Sequence, residues 1–118
     1  MPFLMARDNQ VLTVTIANGA ALSDAFDMRR FSFLTVHMPA AWTAASMGFY
    51  VSSSQGGTFL PLYDDEGNVV EITSPAVDKA YTAPATVGGA HWVKLWSETS
   101  GSGVNQGAER SLIVNLKS

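Results

Sequence analysis

The sequence predicts an all-β fold: an antiparallel β-sandwich of about eight strands, jelly-roll or Ig-like in architecture. Apolar residues recur with a period of two almost throughout, and no stretch carries a helical stripe. Turn signals built from Gly, Asn, Asp and Ser interrupt that pattern at spacings of about 8–15 residues. The length, 118 residues, suits one domain. Folding at this size removes about two-thirds of the unfolded chain's surface from water, enough for a core without staples.

Residues 11–17 set Leu12, Val14 and Ile16 against Thr13 and Thr15, a half-buried strand rich in β-branched side chains. Asn18-Gly19 follows, a turn pair that tolerates positive φ. Next, Leu22, Phe26 and Met28 share one parity, with Ser23, Asp24 and Asp27 between them. Residues 31–38 alternate Phe31, Phe33, Thr35 and His37 with Ser32, Leu34, Val36 and Met38. Pro39 cannot donate to a ladder and ends that strand.

A small-residue connection over 40–46 holds Trp42, expected to plug one end of the sandwich. Residues 47–52 place Met47, Phe49 and Val51 on one face, and strands over 59–63 and 69–72 return from turns at 53–57 and 64–68 as a meander. Residues 74–89 carry Pro75, Pro84 and Gly88-Gly89, a long surface connection with one short strand near 80–82. A strand over 91–97, a Gly/Ser loop over 99–107 and a strand over 112–116 close the sheet. Residues 1–10 precede this pattern as an N-terminal arm, leaving 11–118 as the domain.

Composition excludes several functions. Charged residues are 14% of the chain against about 25% in ordinary soluble domains, and hydrophobic residues are 47%. Ser, Thr, Gly and Asn fill the difference. A net charge of −3 and a pI of 5.1 argue against a surface that tracks phosphates, so no nucleic-acid partner is expected. No stretch approaches the ~18–20 apolar residues of a membrane span, and the start lacks a basic region followed by an apolar core. Neither a membrane partner nor secretion is expected, and synthesis in the cytoplasm is. The absence of cysteine rules out disulfides, thiolate zinc sites and cysteine nucleophiles.

The catalytic inventory is thin. His37 and His91 each fall inside a predicted strand, where a lone histidine usually serves structure. No serine stands in the strained turn that exposes a nucleophile, and no glycine-rich loop precedes a lysine. Gly101, Gly103 and Gly107 miss the dinucleotide spacing and open no helix. Asp64, Asp65 and Glu66 beside Gly67 and Asn68 lack the alternating ligands of a calcium loop and read as a hairpin turn. The chain is therefore expected to be no enzyme, with no catalytic residue, cofactor or metal.

Trp92 and Trp96 share one strand face with Lys94, while Val93 and Leu95 share the other. If Val93 and Leu95 point inward, two indoles stand on the outer face, about 13 Å apart, as a contact surface for protein or sugar. The other reading turns the indoles into the core. Sparse charge favours contact, because Ser, Thr and Ala surfaces desolvate cheaply.

The run Ala21-Leu22-Ser23-Asp24-Ala25-Phe26-Asp27-Met28-Arg29 and then His37-Met38-Pro39-Ala40-Ala41-Trp42-Thr43-Ala44-Ala45 resembles a family of small tailed-bacteriophage and prophage virion proteins. The resemblance continues through Phe49-Tyr50-Val51-Ser52-Ser53-Ser54, Gly57-Thr58-Phe59 and Leu62-Tyr63-Asp64-Asp65-Glu66-Gly67-Asn68. It ends at Val104-Asn105-Gln106-Gly107-Ala108-Glu109-Arg110-Ser111-Leu112. The chain departs from the family pattern at Trp96, where a smaller or basic residue is usual, and in the Ser53-Ser54-Gln55 turn.

What the resemblance implies is a β-sandwich virion component, a decoration (cement) protein that binds and stabilises the capsid exterior. Its expected partners are the major capsid protein and further copies of itself, as a homotrimer. The expected contact residues are Phe3, Leu4 and Met5 in the arm, with Trp92 and Trp96; the connection over 74–89 is a further contact region. The alternative is a carbohydrate-binding sandwich on a tail or head surface, with the two tryptophans as platforms for a surface glycan.

Overall fold

The computed structural model describes residues 8–118, so the expected contacts at Phe3, Leu4 and Met5 lie outside the described residues. The fold is antiparallel and nearly all β. Its longest ladder joins β1 (Asn9–Ile16) to β10 (Arg110–Lys117), in register from Asn9↔Lys117 to Ile16↔Arg110. Asn9 and Gln10, counted above with the arm, thus belong to the sheet. The other edge of β10 takes β3 (Phe33–His37), and β3 takes β7 (Ala80–Thr82), the short strand expected in the long connection.

The second half is built on β8 (Trp92–Thr99), flanked by β2 (Leu22–Asp27) and β4 (Ser46–Ser52). Two short strands, β5 (Leu60–Pro61) and β6 (Glu71–Ile72), share the far edge of β4, and β9 (Ser102–Gly103) folds back on the end of β8. The segment over 59–72 therefore differs from a simple meander. Its two arms bridge at Tyr63↔Val69 and lie one after the other along β4.

Among the described residues there are ten strands rather than about eight; eight of them form one hydrogen-bonded path, β5-β4-β8-β2-β1-β10-β3-β7, with β6 paired to β4 and β9 to β8 off that path. The two halves are not separate sheets. They meet through the single pair Ile16↔Ser23, beside a register shift between Leu22 and Ala25. A bulge bends its strand and sharpens the local twist. Here side chains stand in for missing ladder bonds: Leu95 N–H donates to Ser23 Oγ at 2.9 Å, and Thr15 N–H donates to Asp24 Oδ2 at 3.1 Å. The sheet curls over at this point without leaving those donors unpaired. The two ends of the path do not pair with each other, so the curl stays open.

One core fills the curl. The even positions Val14, Ile16, Leu34, Val36, Leu112, Val114 and Leu116 face Phe26, Met47, Phe49, Val93 and Leu95 from the other half. These are the parities that the alternation predicts. Met28, Phe31 and Val87 add to the same core from connections, Val87 from a short 3-10 turn over Ala85–Gly89. Trp42 packs against the core and donates from Nε1 to the Ala45 carbonyl at 3.1 Å. No helix among the described residues is long and apolar enough to cross a membrane.

Candidate interaction surface

The period of two that buries Val14, Ile16, Leu112 and Val114 sends their odd-numbered neighbours outward. The registers align Val11, Asn115, Thr35 and Thr82 in one row and Thr13, Ile113, His37 and Ala80 in the next. Lys117 is the lone permanent charge in these rows and their extension through Asn9 and Phe33. Six large apolar side chains are exposed among the described residues, and three stand here: Val11 at 68%, Phe33 at 56% and Ile113 at 44%. A shallow groove of about 300 Å³ runs between Asn9, Val11, Phe33, Thr35, Asn115 and Lys117. Asn115 Nδ2 lies 2.7 Å from His37 Nε2 and donates to it. That bond occupies His37 with its sheet neighbour.

A face with this make-up loses little by being covered. Threonine and asparagine desolvate at far lower cost than Lys, Arg, Asp or Glu, and the apolar members gain. Sequence reasoning missed this face, although the parity that buries Val14 and Leu112 already assigns Val11 and Ile113 to its opposite side.

On the other half, Val93 and Leu95 enter the core, which decides between the two readings of this strand, and its parity directs the two indoles to the opposite face. Trp92 is half-buried, and the Arg29 guanidinium carbon lies 5.3 Å from its ring centroid. Arg29 also donates to both Asp27 oxygens, at 3.0 and 2.7 Å. The hydrogen bond from Arg29 holds the Asp27 carboxyl below its ordinary value. Lys94 Nζ sits 4.6 Å from the Phe59 ring centroid.

The expected exposure of Trp96 is corrected: only 5% of it is accessible. Tyr50 meets the indole edge-on with ring centroids 4.8 Å apart, and Gly48 leaves the space into which the ring settles. A sugar platform needs an open ring face, and Trp96 offers none. A Cβ at position 48 would stand 2.9 Å from Trp96 Cε3 and 3.0 Å from Glu98 Cγ. Gly48→Ala is therefore expected to cost about 1–3 kcal/mol by overpacking, read from the midpoint of urea unfolding.

The carboxylates at 64–66 form the expected hairpin turn. Asp64 Oδ1 accepts from the N–H groups of Glu66 and Asn68, each at 2.9 Å. Among the described residues no group of three or more His, Asp or Glu side chains is placed to hold a metal. His91 sits in a bend just before β8, where its carbonyl accepts from Met28 N–H at 2.7 Å.

Two buried polar groups escaped the sequence reading. Gln106, in the Gly/Ser loop, is 1% exposed and links the 40–46 connection to β8 and β10. Glu98 follows the outward parity of Trp92, Lys94 and Trp96, yet it is buried. Its only sequence signal is the small pair Ser46 and Gly48, which makes room on the neighbouring strand.

No family model matches the chain, and no curated protein matches it. Among solved structures, the SPBc2 prophage-derived protein YomS superposes on it with a TM-score of 0.64 over 100% of both chains. The two chains share a fold. Their sequences are 14% identical, so the likeness to YomS is one of architecture, and it extends from end to end.

Proposed function

We propose that this protein is a non-enzymatic structural component of a tailed-phage particle, a decoration protein that docks on the outer capsid surface and stabilises the head. The observation that carries this reading is the nearly uncharged outer face of β1, β10, β3 and β7, with Val11, Phe33 and Ile113 exposed at its centre and border. A patch of that kind on a chain so poor in charge is a docking surface. The YomS-like fold supports the phage association. In this reading the two halves of the curled sheet act as the layers of a sandwich, one layer turned toward the major capsid protein.

Two of the expected contact regions reach that layer, while Trp92 and Trp96 stand on β8 in the other half. Asn9 and Gln10 lie in β1, and the 74–89 connection supplies β7 at the layer's edge. A ligand that binds only the assembled shell lowers the free energy of that state by mass action, which is how a clamp across subunit junctions resists internal pressure. The reading includes self-association as a homotrimer, checked by mass measurement in solution.

Purified particles of the phage whose genome encodes the chain test the proposal. The protein is expected in stoichiometric amounts in washed particles, and on the shell by cryo-microscopy. Its absence from particles, or its presence only on the tail, overturns the reading.

A further inference from the structure

We propose that Glu71 and Glu98 share one proton, and that this buried carboxyl–carboxylate bond is an acid-closed clasp fastening β6 and its hairpin to the β4–β8 body. The two side chains meet over Gly48, which pairs with Glu71 on one side and Trp96 on the other. A side chain on Gly48 would fill this space, since its Cβ would come within 3.0 Å of Glu98 Cγ.

Each carboxyl has one oxygen engaged and one without a partner. Glu98 Oε1 accepts from Gly101 N–H at 2.9 Å, while Oε2 is buried and unpaired. Glu71 Oε2 accepts from the Thr73 hydroxyl at 3.1 Å, while Oε1 is buried and unpaired. Glu71 is the neighbouring carboxyl that acts on Glu98. Two ionised carboxylates only accept, and side by side they repel. A single proton resolves both problems: Glu98 Oε2–H donates to Glu71 Oε1, and each unpaired oxygen gains its bond.

The donor set suits a proton better than a calcium ion. Calcium wants six to eight oxygens, whereas each carboxyl here has one to offer and the Gly101 N–H points at the same group. From the surrounding elements the pair meets Ser46 and Gly48 of β4 and Gly103 of β9, none of them titratable. Gly101 comes from the loop after β8, and beside it stands the Tyr63 hydroxyl, 2.6 Å from where a Cβ on Gly101 would be. Among the described residues, Glu71 is the one charged group that acts on Glu98.

Burial pushes the Glu98 carboxyl from its ordinary value of 4.5 up to about 7, against the pull of the Gly101 N–H and with a further push from Glu71. Between about pH 4.5 and 7 the folded chain therefore keeps a proton that the unfolded chain has released. The clasp's contribution is full below about pH 4.5 and is lost as the pH rises through about 7.

Carbon-13 NMR of the glutamate carboxyls in the full chain is expected to show one of them titrating near neutrality. Thermal unfolding between pH 4 and 9 is expected to lose about 5 °C of Tm across that window relative to Glu98→Gln, whose amide donates to Glu71 at every pH. Exchange of the Val70 amide, which bonds to the Leu62 carbonyl across the hairpin, should accelerate above neutral pH beyond its intrinsic rate in the native chain only. The proposal is overturned if no glutamate carboxyl titrates above pH 6, or if Glu98→Gln keeps the native pH dependence. A rise in Tm on adding calcium or magnesium chloride at pH 8, abolished in Glu98→Gln, would assign a cation instead and also overturn it. Should Glu98→Gln fail to fold, Glu71→Gln and the native carboxyl titration decide the matter alone.

Discussion

Replacing Gln106 with alanine is expected to destabilise the protein by about 2–4 kcal/mol, seen as a lower urea midpoint at unchanged slope. All four hydrogen-bonding places of this amide are used. Its Oε1 accepts from Thr43 N–H at 2.8 Å and from Arg110 Nε at 3.0 Å. Its Nε2 donates to the Thr43 carbonyl at 3.1 Å and to Ser97 Oγ at 2.8 Å. Alanine would leave these partners facing a void in which water replaces few of the bonds, and a buried group left unpaired costs its full desolvation. Gln106→Glu should recover little, because a carboxylate oxygen would then oppose the Thr43 carbonyl. A change below about 0.5 kcal/mol in Gln106→Ala would show that solvent already serves this cluster.

Placing lysine at both Val11 and Ile113 is expected to weaken binding to the particle about 100-fold while leaving Tm within about 2 °C. Both positions are exposed and point away from the core, so the fold loses only a small strand preference. Docking, by contrast, would require two ammonium groups to be desolvated against a partner surface shaped for apolar contact. Leu60→Lys is the control. Leu60 is nearly as exposed as Val11 but belongs to β5 in the opposite half, so particle binding should be unaffected. Equal losses from both changes would mean that the docking face is elsewhere, and no loss from the double change would remove this face from consideration.

The two halves of the molecule differ in how far local pattern foretold them. Val93 and Leu95 lie in the core because alternation along a strand is local geometry, and Pro39 ends its strand through a property of one residue. The Asp64 turn was legible for the same reason, since its bonds span only a few residues. Trp96 was not. Its parity sends it outward, but Gly48 and Tyr50 arrive from a strand distant in sequence and cover it. Glu98 is buried where Ser46 and Gly48 of that same strand leave it room, and Gln106 looked like one polar residue in a flexible loop until Thr43, Ser97 and Arg110 gathered round it.

By itself the sequence determined an all-β chain, the faces of its strands, its main turns and a surface poor in charge. These follow from side-chain alternation, backbone preferences and composition, all readable within a few residues. Only the tertiary structure decided that the strands run as one curled path, that Trp96 and Glu98 are covered, and that Val11, Phe33 and Ile113 share one open face. Strand pairing is a non-local choice, made by the free energy of filling one core, and it sets which outward side chains remain in contact with water.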